Sequence, residues 1–255
     1  MPPQGNKIKV LVVDDSALMR QFIGDILRTD PRLEVVGTAR DGKDCLSQIK
    51  TLKPDIVTMD VEMPVMNGLE ALEEIMKTSP MPVVMVSSLT QEGADTTFKA
   101  LSLGCVDFIG KPSGTISLNI RDVGQELIEK VVAASTAKVG RPTGTHRTTP
   151  RSTAPTANAN TGRMDIVAIA SSTGGPMALN DLMPKIPKDF PVPIVITQHM
   201  PKEFTSSFAK RLNDASQIEV VEGFDGLTLK PGRAVIAPGG SHLLLKRRTG
   251  ATVCA

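Results

Sequence analysis

The 255 residues are 40% hydrophobic and 22% charged, proportions that exclude a fibrous or wholly disordered chain. Lys and Arg number 29 against 27 Asp and Glu, a net charge of +2, and there is neither Trp nor Tyr. A dedicated nucleic-acid binder, with its basic face and aromatic stacking platforms, is therefore not expected. The length suits one large or two modest domains with a real core. Cys45, Cys105 and Cys254 are too far apart for a zinc site or a disulfide framework and suit a reducing compartment. With no signal-peptide core and no apolar run of membrane-spanning length, a cytoplasmic monomer without membrane insertion is expected.

Taken in chain order, residues 8–13 form a β-branched run typical of a buried parallel strand. Residues 16–27 carry Leu18, Phe22, Ile23, Ile26 and Leu27 at helical spacing. Strand-like runs recur at 33–37, 56–59, 83–86 and 106–109, and helix-like runs at 42–49, 68–76, 94–103 and 124–134. This alternation predicts a doubly wound parallel sheet over residues 7–124. Residues 135–163 hold no Asp or Glu, no aromatic residue and only one large aliphatic, Val139. Such a composition cannot offset its ordering entropy, so 125–163 is read as a closing helix followed by a flexible linker. Residues 164–255 resume the α/β pattern. Strands are predicted at 165–170, 192–197, 218–221 and 234–237, another begins at Leu243, and helices are predicted at 176–183 and 204–212.

Ligands of open α/β sheets bind at the carboxyl ends of the strands. In the first half those ends carry Asp14 and Asp15, then Asp60, then Ser87 and Ser88, then Lys111 before Pro112. Carboxylates converging on one rim repel each other unless a cation lies between them. An oxygen-only cluster with open positions suits Mg²⁺, and a carboxylate beside such a metal can take a phosphoryl group.

Residues 8–124 resemble a response-regulator receiver domain. The likeness rests on Asp14-Asp15, the run from Asp60 through Glu62, Met63 and Pro64 to Gly68, the hydroxyl of Ser87, and Lys111-Pro112. The resemblance implies a flavodoxin-like, five-stranded parallel sheet. It also implies that Asp60 accepts a phosphoryl group from a histidine kinase. Asp15, Asp60 and the Glu62 carbonyl would hold Mg²⁺ with Asp14 assisting; Lys111 would pair with the phosphoaspartate, and Ser87 and Phe108 would move with it.

In the second half, Ser171-Ser172-Thr173-Gly174-Gly175-Pro176 lies between a predicted strand and a predicted helix. A hydroxyl there is exposed at the sheet edge and faces the positive end of a helix, a fitting place for a nucleophile; an N-capping Ser in a tight turn reads equally well. A nucleophilic serine needs a base. Of the three His, His146 sits in the linker and His242 follows Gly239-Gly240-Ser241. His199 ends the strand after the candidate serine and so emerges at the same edge.

This half resembles the catalytic domain of the chemotaxis protein-glutamate methylesterases through Ile169–Pro176 (Ile-Ala-Ser-Ser-Thr-Gly-Gly-Pro), Ile196-Thr197-Gln198-His199-Met200-Pro201 and the run from Ala237 to Leu243. The resemblance implies Ser172 as nucleophile, His199 as general base and no cofactor for the esterase. The substrates would be glutamate γ-methyl esters, and often glutamine amides, on methyl-accepting chemoreceptors. In the family the unphosphorylated receiver covers the active site. One motif departs: the family's Gly-Met-Gly-x-Asp-Gly turn, which supplies the imidazole-orienting Asp, does not occur here, and Asp225 reads as a plain turn residue. Since the family continues beyond the position of Ala255, an incomplete Rossmann-like second domain is expected. Without the orienting carboxylate, turnover lower by ~10³-fold or more is expected. Two readings stay open: a phosphorylation-controlled methylesterase, or a phospho-receiver whose esterase half is inactive. A nucleotide site on Thr173-Gly174-Gly175 is disfavoured for want of G-x-G-x-x-G.

Overall fold

The computed structural model describes residues 7–87, 91–111, 120–137, 139, 165–248 and 251–254. The linker expected at 135–163 falls almost wholly outside the described residues, as do Ser88, Pro112 and His146.

The first sheet contains β1 (Ile8–Val13), β2 (Leu33–Ala39), β3 (Ile56–Asp60), β4 (Val83–Ser87) and β5 (Asp107–Gly110). All neighbours pair in parallel, in the order β2-β1-β3-β4-β5. Helices α1 (Ala17–Arg28), α2 (Gly42–Leu52), α3 (Gly68–Thr78), α4 (Gln91–Leu103) and α5 (Ile120–Ser135) cover both faces. The alternation along β1 shows why. Val10 and Val12 pack with Ile23 and Leu27 of α1 and Leu127 and Val131 of α5. Leu11 and Val13 pack on the other side with Cys45 and Ile49 of α2, Leu72 and Ile75 of α3, and Phe98 of α4. Each such fully buried side chain contributes about 1.5–3 kcal/mol. The closing helix begins at Ile120, earlier than the pattern at 124–134 indicates, and its apolar face lies in the core of the first sheet.

The second sheet contains β6 (Val167–Ser171), β7 (Ile194–Gln198), β8 (Glu219–Glu222) and β9 (Arg233–Ile236), parallel throughout in the order β6-β7-β9-β8. Helices α6 (Gly175–Leu182) and α7 (Lys202–Ala215) pack on one face, against Ile194, Ile196, Ala234 and Ile236. The opposite face meets Leu227, Leu229 and Cys254. The run at 165–170 reads as a buried strand, yet Ala168 and Ala170 of β6 are exposed, because no described helix covers that face. The last strand starts at Leu245, not Leu243. β10 (Leu245–Arg248) pairs antiparallel with β11 (Ala251–Cys254), a four-residue strand with no pattern of its own in the sequence.

The α4 side of the first sheet and the α7 side of the second share one apolar cluster. Its centre is four buried Phe rings. Phe108 of β5 stacks on Phe204 of α7 with centroids 4.9 Å apart, and Phe98 of α4 stacks on Phe208 of α7 at 5.5 Å. Arg211 of α7 also donates a hydrogen bond to the Ser102 hydroxyl of α4.

Candidate functional site

Two sites stand at the carboxyl edges of the two sheets. At the first, the order β2-β1-β3 puts the topological switch between β1 and β3. Asp14 follows β1 and Asp60 ends β3, and both are buried, while Asp15 is exposed. One carboxylate oxygen from each of the three lies within 4.8 Å of the others. Lys111, just past β5, reaches in between: its Nζ is 2.7 Å from Asp60 Oδ2 and 3.2 Å from Asp14 Oδ2. Burial pushes the Asp60 carboxyl above its usual range; Lys111 opposes this shift and Asp14 adds to it. Burial presses the Lys111 ammonium down, but the two carboxylates outweigh it and the net shift is upward.

Local structure holds these groups in place. The Ser16 hydroxyl caps α1, and its backbone N–H donates to Asp14 Oδ1 at 2.9 Å. Arg20, one turn into α1, donates to the Asp14 and Asp15 carbonyls at 2.7 and 3.0 Å. Nothing in the local sequence marks Arg20 for this, since a basic residue on an exposed helix turn is ordinary. Gly68 opens α3 directly against the end of β3: a Cβ there would overlap the Asp60 carbonyl oxygen. The Glu62 side chain is exposed, and its backbone N–H lies 3.4 Å from Asp60 Oδ1. Ser87 ends β4, buried, and its carbonyl accepts from the Lys111 N–H at 2.6 Å. Phe108 lies away from this rim, in the ring stack shared with Phe204.

At the second site, Ser171 of β6 and Gln198 of β7 are register partners. The next residue on each strand is therefore Ser172 on one and His199 on the other, both exposed. The His199 N–H donates to the Ser171 carbonyl at 3.0 Å, which extends the ladder by one step between them. The adjoining cleft, about 490 Å³, is lined by Ser171, Gln198, His199, Met200 and the 237–242 turn, including His242. No carboxylate among the described residues hydrogen-bonds the His199 imidazole; Asp225 lies exposed in its turn, outside the cleft lining.

A third group ties the second site to the first sheet. Asp107 of β5 is 1% exposed and its charge is met by the equally buried Lys130 of α5, at 3.4 Å. Burial pushes the Asp107 carboxyl above its usual range; Lys130 and the Thr173 side chain, next to Ser172, oppose this shift. Neither Asp107 nor Thr173 carries a signal in the sequence, because the two lie far apart in the chain. The thiols do not compete as nucleophiles: burial drives Cys45 up to about 12 and Cys105 well above the ordinary thiol range.

The chain is similar to known proteins along nearly its whole length. Residues 10–121 match the response regulator receiver domain, and residues 167–254 match the CheB methylesterase family. A protein-glutamate methylesterase/protein-glutamine glutaminase of Geobacillus kaustophilus is 52% identical over 244 residues, 96% of this chain and 70% of that protein. The protein of the same description from Thermotoga maritima is 49% identical over 252 residues, 95% of this chain and 70% of its own length. The solved response regulator domain of Thermotoga maritima CheB is 53% identical and covers 52% of this chain and 99% of its own, with a TM-score of 0.48.

Proposed function

The chain belongs to the CheB methylesterase family of chemotaxis response regulators, and from that premise we propose that Ser172 and His199 hydrolyse glutamate γ-methyl esters on chemoreceptors under the control of phosphoryl transfer to Asp60. The observation that carries this reading is the placement of Ser172 and His199 just past the register pair Ser171 and Gln198, at the edge where His199 lines the cleft. His199 takes the Ser172 hydroxyl proton as the oxygen adds to the ester carbonyl, and that proton leaves with methanol when the tetrahedral species collapses. Water, deprotonated by the same imidazole, then releases the glutamate carboxylate and restores Ser172. A glutamine side chain follows the same path with ammonia as the leaving group.

In the receiver, the donor set of carboxylate oxygens at Asp14, Asp15 and Asp60 fits the oxygen-only preference of Mg²⁺. Asp15, Asp60 and the Glu62 carbonyl would hold the ion, which offsets charge on an incoming phosphoryl group. Asp60 supplies the attacking carboxylate oxygen and the donor's P–N bond to a kinase histidine breaks. Lys111, already 2.7 Å from that carboxylate, stays with the product anion, while the Ser87 hydroxyl bonds a phosphoryl oxygen. Phe108 links this event to the esterase, since its ring belongs to the stack with Phe204 of α7. Unphosphorylated, the receiver thereby holds the loop that carries Ser172. The partners are a chemotaxis histidine kinase and receptor signalling helices in the cytoplasm. Among the described residues no helix is long and apolar enough to cross a membrane. A phospho-receiver with an inert second half is not favoured, because relatives named for both hydrolytic activities match across both halves.

Methanol release from methylated receptor membranes tests the esterase directly. Ser172→Ala and His199→Ala should each abolish release that the unaltered chain supports. Equal release by Ser172→Ala would refute the assignment.

A further inference from the structure

The side chain of Gln198 lies between the two loops that carry Ser172 and His199. It is 7% exposed, and its carboxamide is almost fully used. Its Oε1 accepts the Ser171 hydroxyl at 2.7 Å. Its Nε2 donates to the Ser172 carbonyl at 3.0 Å and to the His199 carbonyl at 3.1 Å. Both amide protons thus go to main-chain carbonyls of the two candidate reacting residues, one on each strand. The Ser172 carbonyl accepts a second bond from the Gly175 N–H at 2.8 Å. Gly175 packs so closely on the carboxamide that a Cβ there would overlap Gln198 Oε1. The first turn of α6, the β6 loop and the β7 loop therefore all close on this one group.

We infer that Gln198 is a positioning residue for the esterase: its carboxamide locks the Ser172 loop to the His199 loop, and the Ser171 hydroxyl sets which way the amide faces. The inference rests on the reading of Ser172 and His199 as nucleophile and base. The chemistry of the position is restrictive. Two carbonyl oxygens and one hydroxyl proton converge there, so the occupant must donate twice and accept once. Glutamate would set its charge against two carbonyls, with at most one donor when protonated. Methionine fills the same space with no polar atom: it would take this donor from the His199 carbonyl, leave the Ser172 carbonyl with only its Gly175 bond, and leave the Ser171 hydroxyl with only the longer contact to the Thr197 carbonyl. Asparagine is one methylene too short to span the two strands. Gln198 touches no reacting atom; it acts on the backbone that presents them. A near-attack geometry lost by about 1 Å lowers rates about 100-fold, so a lock between the two loops bears directly on the nucleophile.

The test compares the unaltered full chain with Gln198→Met, Gln198→Glu and Ser171→Ala. Amide exchange is followed by mass spectrometry in peptides covering 170–177 and 198–203. The rate at which a fluorophosphonate probe labels Ser172 is measured between pH 5 and pH 8. In Gln198→Met, exchange should rise about tenfold in both loops together, as expected for about 1.4 kcal/mol of lost bonding, with β8 and β9 unchanged. Labelling should fall about 100-fold. In Gln198→Glu the labelling rate, taken as a ratio to the unaltered chain at each pH, should recover toward pH 5, where the protonated carboxyl regains one donor. A purely structural role gives no such pH-dependent ratio. Ser171→Ala, which keeps both amide donors, should change labelling only about threefold. Unchanged labelling and exchange in Gln198→Met would overturn the inference. So would loosening of one loop without the other, or loosening spread evenly over the second sheet. If the unaltered chain takes no label at Ser172 while both loops still loosen together in Gln198→Met, the lock stands and the esterase reading fails.

Discussion

Lys130 carries one of the more costly charges in the protein. It is 3% exposed, its Nζ donates to the Phe108 carbonyl at 2.6 Å, and it lies 5.3 Å from the centre of the Phe108 ring. Its partner Asp107 is equally buried. Removing one member of such a pair leaves the other uncompensated, so Lys130→Met should destabilise the chain by about 3–5 kcal/mol. Lys130→Met combined with Asp107→Asn should recover most of that loss in urea titrations. A pH dependence follows. Burial already holds the Asp107 carboxyl above its usual value despite Lys130. The folded state therefore binds that proton more tightly than the unfolded state, and the group's contribution is present at low pH and lost as pH rises through the folded value. Without Lys130 the folded value rises further. The Lys130→Met deficit should thus be smaller at pH 4 than at pH 7.5; an equal deficit at both would show that Asp107 is not the group left exposed to the penalty. At the carboxylate cluster of the first sheet, a small phosphodonor with Mg²⁺ should label Asp60, detectable by mass spectrometry after borohydride trapping. Asp60→Asn should lose that label, and a mutant labelled as fully as the parent would remove Asp60 from the account.

At the scale of elements, strand ends carry the chemistry and helix starts hold it. β3 ends on Asp60, and α3 begins at Gly68 with no room for a Cβ against the Asp60 carbonyl. Gly68→Ala must push the helix start off the strand end. Overpacking of this kind costs about 1–3 kcal/mol, and phosphorylation of Asp60 should slow along with the loss of stability. A variant with unchanged melting and unchanged labelling would show that the loop absorbs the methyl group freely. The same scale explains what could be read in advance. The β-branched runs before Asp14 and Asp60 fix strand and edge together, because a run buried on both faces leaves its following acid at the rim. The strand runs before Ser172 and His199 likewise place both residues at the edge, although β6 is covered on one face only. Gln198 was not legible in this way, because its partners Ser171 and Ser172 lie 27 and 26 residues away. Arg20 and β11 were equally silent: one is an ordinary helix cation, and the other gains its meaning only from pairing with β10.

Across the whole molecule, four of the seven Phe meet where the two sheets join. The spacing of Phe204 and Phe208 at i, i+4 reads as an ordinary helix stripe, and only the fold shows that Phe98 and Phe108 of the first sheet fill the other side. Phe204→Ala opens a cavity under the Phe108 ring and should cost about 3–5 kcal/mol. It should also release the Ser172 loop from the receiver and make the second site accessible without phosphodonor. Fluorophosphonate labelling of Ser172 by the full chain, with and without a small phosphodonor and Mg²⁺, tests the central claim most directly. Label should be confined to Ser172, at a rate that rises with phosphodonor in the unaltered chain, does not rise in Asp60→Asn, and is high without phosphodonor in Phe204→Ala. A Ser172 labelling rate that ignores the phosphorylation state of Asp60 in the unaltered chain would contradict that claim.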